Sequence, residues 1–374
     1  MAGFPQMQTP MDNDTGESSA KMDRLERYLA SDPANRHLVT EAIDLAMRLG
    51  RLDAARKHAD AAVLALPDDP FLAQRRGNVL LAQGELAEAA AVFERLRTRT
   101  DDPAVAYSLG YALFKMGAFE QARTTLEPSV SGGSAPVAMA VLLLRVLHHL
   151  GHIEEAIRMA EPYLDANTSA SELLGVAALL YFDDEQFEHA DRLSRASLAV
   201  GARRLEALVV QGSLALAKED ADGATRCFSE ALWLNPSDGR SLFGLGTASL
   251  LKGQLHSAKA HLQEASANMP TDIGTLHALA WCHVLGGDLD EAHATFAGAL
   301  ALDPDWGESH GGMAVVHAMR GQADDAQASI ERALRLDPEC VPALYAQAIL
   351  SGEAADPARL QAWARRLFGK RFGP

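Results

Sequence analysis

The chain has 374 residues and a formal net charge of −16, because 50 Asp and Glu residues outnumber 34 Lys and Arg residues. This charge argues against a nucleic-acid-binding surface, which needs a basic stripe to neutralise phosphates, and against binding to an anionic membrane. Only three cysteines are present and they are unclustered, which indicates reduced thiols and predicts a cytoplasmic protein.

The N-terminal region is expected to contain a disordered segment and then a helix. Residues 1–20 are polar and contain Pro, Gly, Ser and Asp, so we expect disorder there and no signal peptide. Residues 21–35 are expected to form a capping helix, because Leu25 and Leu29 can cover an apolar surface. No stretch of the chain approaches the roughly 20 apolar residues that a membrane-spanning helix requires.

A 34-residue period organises residues 36–340. One proline ladder keeps this spacing from Pro236 to Pro338, and glycines keep the same phase over much of the region. A fixed period of this length is typical of a repeat solenoid. The strongest ladder is alanine, with every step 34 residues except one of 33; its members are Ala55, Ala89, Ala122, Ala156, Ala190, Ala224, Ala258, Ala292 and Ala326.

The repeat unit is predicted to be a helix–turn–helix hairpin. In the unit that spans residues 272–305, residues 276–283 place side chains at i, i+3, i+4 and i+7, which is one face of a helix. Gly287 can end that helix in a left-handed conformation, and a second apolar stripe follows until Pro304. One hairpin cannot bury its apolar face alone, whereas stacked hairpins can.

These residues resemble the tetratricopeptide repeat family. The family pattern has glycine in the first helix, glycine at the turn, and then alanine, an aromatic residue, alanine and proline. Gly212, Ala224, Phe228, Ala231 and Pro236 fit this order. The resemblance covers about residues 36–340 and implies an all-α fold, a right-handed superhelical solenoid of about nine helix–turn–helix repeats with helical caps.

Two features depart from the regular pattern. Glu185 and Glu219 occupy the turn position that glycine holds in most repeats. Residues 129–136, SVSGGSAP, fall where the third repeat should finish its second helix, and the paired glycines should fray it. This segment is either a surface loop or a hinge between two blocks of repeats, and the sequence leaves both readings open.

The C-terminal region, residues 341–374, is predicted to form capping helices. Residues 341–350 have the pattern of one more first helix, and Asp356 followed by proline is a helix start signal. Leu360, Trp363 and Leu367 then form an apolar stripe that can cover the last repeat.

The sequence contains no pattern that favours catalysis or a cofactor. It has no glycine-rich phosphate loop and none of the HExxH, GxSxG or paired-cysteine motifs. His148 and His152 are one helical turn apart, but two ligands without a close third do not make a metal site. His283 and His317 share one repeat position and are interpreted as packing residues. We therefore predict that the protein is not an enzyme and has no catalytic residues, metal site or cofactor.

The best candidate site is the groove that the resemblance implies on the inner side of the first helices. Its composition is that of a binding surface, and we expect Trp281 to be its partly exposed anchor, near Phe243. A partner protein would place an apolar helix or peptide there, and basic flanks would complement the negative charge. The candidate residues are Asn78, Tyr107, Tyr111, Phe114, Arg145, His148, Phe182, Phe243, His277, Trp281 and Met319.

The sequence therefore predicts a non-enzymatic scaffold or adaptor that binds another protein. Two alternatives stay open: a dedicated chaperone or accessory factor for a secretion or assembly system, and a regulatory subunit of an enzyme. A chaperone would form a stable complex with one client, whereas a regulatory subunit would change the kinetics of its partner.

Overall fold

A computed structural model describes residues 12–131, 135–201 and 203–352. The described residues form twenty α-helices and no β-strand, which confirms the predicted all-α repeat solenoid. In chain order the helices are α1 (Asp12–Ser31), α2 (Arg36–Arg48), α3 (Leu52–Ala65), α4 (Pro70–Gln83), α5 (Leu86–Arg97), α6 (Pro103–Lys115), α7 (Phe119–Val130), α8 (Val137–His149), α9 (Ile153–Ala166), α10 (Ser171–Asp183), α11 (Phe187–Ala199), α12 (Leu205–Ala217), α13 (Ala221–Leu234), α14 (Gly239–Leu251), α15 (Leu255–Asn268), α16 (Ile273–Gly286), α17 (Leu289–Leu302), α18 (Gly307–Met319), α19 (Ala323–Leu336) and α20 (Val341–Leu350).

The helices from α2 to α19 pair into nine hairpins over the described part of residues 36–336. Each even-numbered helix is the first helix of a repeat, and the odd-numbered helix after it is the second. The hairpins fall into two compact units that divide between Ala166 and Asn167. We refer to them as the N-terminal unit and the C-terminal unit.

The hinge proposed at residues 129–136 remains a prediction, because residues 132–134 lie outside the described residues. Residues 129 and 130 end α7, and Pro136 is the N-cap residue of α8.

The alanine ladder is the contact line inside the hairpins. All nine of its side chains are fully buried, at 0% exposure. A larger side chain at these positions would push the two helices of a hairpin apart. Every repeat therefore needs a small residue at the same helix contact, and this requirement explains the regular spacing of alanine in the sequence.

Glycines in the first helices make room for large side chains of the second helices. Phe228 of α13 is 1% exposed, and a Cβ atom at Gly212 or Gly244 would lie 2.7 or 2.3 Å from its ring. Gly212 belongs to the same repeat as Phe228, and Gly244 belongs to the next. One phenylalanine thus packs against two consecutive first helices because neither has a side chain at the contact.

The turns inside the hairpins need a left-handed residue. Gly84 and Gly287 end α4 and α16 with φ values of 82° and 79°. Glu185 and Glu219 adopt the same conformation, with φ values of 59° and 55°. A side chain in this conformation costs roughly 1–2 kcal/mol, so the fold accepts local strain at two turns to keep the period.

At the N-terminus, α1 begins at Asp12, so residues 12–20 are helical where composition predicted disorder. Met22, Leu25 and Leu29 are buried in the core that α1 shares with α2. Once these contacts fix the helix, each additional turn needs no new nucleation, and the helix extends towards its start.

Two further expectations fall partly on residues that the structure does not describe. Residues 1–11, and the C-terminal stripe of Leu360, Trp363 and Leu367, lie outside the described residues. In the part of the chain that is described, no helix has both the length and the apolar character needed to cross a membrane.

Candidate binding surface

The first helices of each unit form one continuous face, which we call the inner face. In the N-terminal unit, α2, α4, α6 and α8 contact one another in sequence. In the C-terminal unit, the same is true from α10 to α20. Side chains that point away from the hairpin cores on these helices lie side by side, although they come from different repeats.

The inner face of the C-terminal unit contains a concave site that we call the inner pocket. Its volume is about 400 Å³, which is within the range of small binding sites. Four consecutive first helices, α10, α12, α14 and α16, contribute to it. The lining residues are Phe182, Asp183, Val209, Ser213, Leu216, Phe228, Arg240, Phe243, Gly244, Met269, Asp272, Gly274 and Trp306.

A glycine and the buried ring packed against it form one wall of the pocket. Gly244 brings α14 close to the ring of Phe228, which forms part of the pocket wall. Phe182 and Phe243 are half-buried, and the N-cap residue of α18, Trp306, is 38% exposed. The aromatic walls are therefore partly accessible to a ligand.

An ion pair lies in the same pocket. The Arg240 guanidinium donates two hydrogen bonds to the Asp183 carboxylate, at 3.0 and 2.9 Å. Burial lowers the pKa of Arg240, but the hydrogen bonds and charge of Asp183 outweigh this effect, so the pKa lies above its ordinary value. The pair is partly buried, with side-chain exposures of 43% for Arg240 and 19% for Asp183.

The structure corrects the expectation for Trp281, which is 4% exposed and therefore belongs to the core. Its ring packs edge-on against Phe296 at a centroid distance of 5.9 Å. His277 is also buried, at 3% exposure, with its Nε2 atom 2.5 Å from the Ser309 hydroxyl oxygen. Neither residue offers a surface to a partner, because the second helix of the repeat supplies a large ring that covers both.

The other candidates of the C-terminal unit remain accessible. Phe182 and Phe243 meet in the inner pocket although they are 61 positions apart in the sequence. Met319, at the end of α18, is 37% exposed but does not line the pocket.

Six candidates lie in the N-terminal unit, and none of them lines the inner pocket. Asn78 is exposed and lines a separate concave site of about 340 Å³ on α2 and α4. Tyr111 is 38% exposed, and Phe114 packs against Phe119 at 5.7 Å. The remaining three are half-buried: Tyr107, Arg145 and His148.

Of the thirteen residues that line the inner pocket, only Phe182 and Phe243 were candidates from the sequence; the charged and aromatic residues that it did not reveal include Asp183, Arg240, Asp272 and Trp306. Arg240 occupies the second position of its repeat, which the resemblance places on the inner face, so the register could have identified it. The partnership with Asp183 had no sequence signal, because the two residues are 57 positions apart and in different repeats.

The buried thiols do not form a reactive centre. Burial raises the pKa of Cys282 to about 12 and that of Cys340 to about 11. Both thiols therefore remain protonated and weakly nucleophilic at neutral pH. Among the described residues, no group of three His, Cys, Asp or Glu side chains is arranged to hold a metal ion.

These features define the class of the protein as an all-α helical-repeat solenoid. Two tetratricopeptide repeat models match it, one at residues 40–106 and 209–273 and the other at residues 249–315 and 283–350. A model of subunit 3 of the anaphase-promoting complex also matches residues 82–163. The chain belongs to the tetratricopeptide repeat family, as its sequence predicted. The families that match are typically non-enzymatic, and their fold is typical of scaffolds for protein–protein interaction.

Several solved structures are similar to this chain, and their sequence identity to it is low. The human IFIT1 dimer with PPP-AAAA is 15% identical, with a TM-score of 0.55, and the match covers 96% of both chains. A tetratricopeptide repeat protein from Parabacteroides merdae is 16% identical, with a TM-score of 0.47, covering 63% of this chain and 93% of the other. The structure of pilF from Pseudomonas aeruginosa is 18% identical, with a TM-score of 0.47, and the match covers 56% of this chain and 95% of the other. No curated protein sequence matches the chain.

Proposed function

We propose that the protein is a non-enzymatic scaffold or adaptor that holds an apolar side chain of a partner protein in the inner pocket. The observation that carries this proposal is the convergence of Phe182 and Phe243 on a concave site of about 400 Å³ that core packing leaves open. Recognition surfaces commonly seat one large apolar side chain in such a pocket.

The charge of the unit adds a second property to the proposed partner. Residues 167–374 carry 27 Asp and Glu and 17 Lys and Arg, which gives this unit a net charge of −10 (17 minus 27). Basic flanks around the apolar residue would be attracted to such a surface and would speed association. The proposed partner is therefore a helix or extended segment with apolar and basic residues, and the reduced thiols favour the cytoplasm as the place where they meet.

Site-specific photo-crosslinking tests the proposal. A photoreactive phenylalanine analogue at position 243 should crosslink to one defined segment of a partner. The same analogue at position 233 is the control, because Trp233 on α13 is 75% exposed and outside the inner pocket. The segment identified at position 243 is then synthesised and its affinity is measured directly.

The expected outcome is that Phe243→Ala weakens binding of that segment by roughly 30-fold or more, as for truncation of a central interface residue. Trp233→Ala should leave the affinity unchanged. Circular dichroism and thermal melting must show that both variants are folded. Equal crosslinking at positions 243 and 233, or full affinity in a folded Phe243→Ala variant, would place the binding surface elsewhere.

A further inference from the structure

The Arg240–Asp183 pair crosses the inner face of one whole repeat. Asp183 lies at the end of α10 and Arg240 near the start of α14, while α12 is the first helix between them. Val209, Ser213 and Leu216 of α12 line the same pocket. The two charged side chains therefore meet over the site that the proposed ligand would enter, rather than inside one hairpin.

The surroundings of Arg240 contain more carboxylates than one guanidinium can neutralise. Asp183, Asp238 and Asp272 all act on its charge. Asp238 and Asp272 are N-cap residues of α14 and α16, and Asp272 lines the pocket. The pocket and its surroundings thus combine apolar walls with an excess of negative charge.

We infer that Arg240 occupies the place of a basic residue of the partner, and that the partner is recognised by an arginine or lysine next to its apolar residue. This inference rests on the proposed function and specifies its ligand. The incoming cation pairs with Asp183 and Asp272, while the apolar residue contacts Phe182 and Phe243. Arg240 is then an internal competitor that moves aside when the partner binds.

The energetics permit this exchange. Displacement of Arg240 breaks a bidentate, partly buried ion pair, and this cost is offset when the incoming cation forms the same pair with Asp183. A guanidinium fits a carboxylate with two parallel hydrogen bonds, as Arg240 does here, and an arginine of the partner can reproduce that geometry. An anionic partner would instead use Arg240 as its own contact, so the effect of removing Arg240 has opposite signs for the two kinds of ligand.

A display library of random 12-residue peptides provides the probe. It is selected against the parent protein and against Arg240→Gln and Asp183→Asn, and enriched peptides are synthesised for measurements of affinity. The parent should enrich peptides with a net positive charge and at least one aromatic or aliphatic residue. Replacement of their arginine by citrulline, a neutral analogue of the same shape, should weaken binding about tenfold.

The two variants should move the affinity for these peptides in opposite directions. Arg240→Gln should strengthen binding by roughly fivefold or less, because the competing cation is removed. Asp183→Asn should weaken it by about tenfold. The control is Arg332→Gln. Arg332 lies on α19, does not line the pocket and forms an ion pair with Asp305 at 2.6 Å, so its replacement should leave the affinity for the peptides unchanged. Circular dichroism confirms that each variant is folded.

The possible failures are distinguishable. Enrichment of acidic peptides, or loss of binding in a folded Arg240→Gln variant, overturns the inference while leaving the pocket as the binding site. If no peptide is enriched, or if the enriched peptides bind Phe243→Ala as well as the parent, the proposed function fails together with the inference.

Discussion

Substitution of Trp281 by alanine should destabilise the C-terminal unit strongly, although the sequence pattern placed this residue on the binding surface. The side chain is 4% exposed and contacts Phe296, which is itself fully buried. Truncation of a buried tryptophan leaves a cavity that the surrounding helices fill only partly, at a cost of about 3–5 kcal/mol. Loss of the edge-to-face contact is included in this figure.

Urea unfolding followed by circular dichroism measures the effect. Trp233→Ala is the matched control in the same unit, because Trp233 is 75% exposed and its removal should change the free energy of unfolding by less than about 0.5 kcal/mol. The Trp281→Ala midpoint should fall well below that of Trp233→Ala. Similar midpoints for the two variants would refute the assignment of Trp281 to the core.

Four further predictions concern stability. Ala258→Leu should lower the free energy of unfolding by roughly 1–3 kcal/mol through overpacking at a fully buried contact, and an unchanged urea midpoint would contradict the register. Glu219→Gly should raise the free energy of unfolding by about 0.5–1 kcal/mol, because relief of the left-handed strain exceeds the entropy cost of glycine. A lower urea midpoint for this variant would contradict the prediction. Deletion of residues 356–374 should cause dimerisation or aggregation in light scattering, since it removes the apolar stripe of Leu360, Trp363 and Leu367 that the sequence predicts to cover the last repeat; a stable monomer would make the segment dispensable. Burial, followed by the nearby lysine, lowers the pKa of His283, so the unfolded chain binds more protons and stability is lost as the pH falls below about 6.5. His283→Phe should reduce this loss in melts between pH 7 and 5, and an identical pH profile would exclude the histidine as its source.

The sequence was sufficient for the fold because the steric requirement of a hairpin is local and recurs at a fixed spacing. A small residue must lie where two helices touch, and the alanine ladder reports that contact in every repeat. Even Glu185 and Glu219, which depart from the glycine pattern, adopt the expected left-handed turn because the rest of each hairpin fixes it. The start of α1 was less predictable, since contacts with α2 hold a polar segment in a helix.

The binding surface depended on neighbouring repeats, and for that reason only part of it could be predicted. The register places Phe243 and Trp281 alike on the inner face, yet Phe243 lines the pocket and Trp281 is buried against the ring of Phe296. Likewise, the sequence suggests a place for Arg240 but not for its partner Asp183, two repeats earlier. The sequence by itself thus determined the repeat, its period and the face that its first helices present. Only the tertiary structure decided which side chains of that face stay exposed, because exposure depends on the size of the side chains that adjacent repeats bring against them.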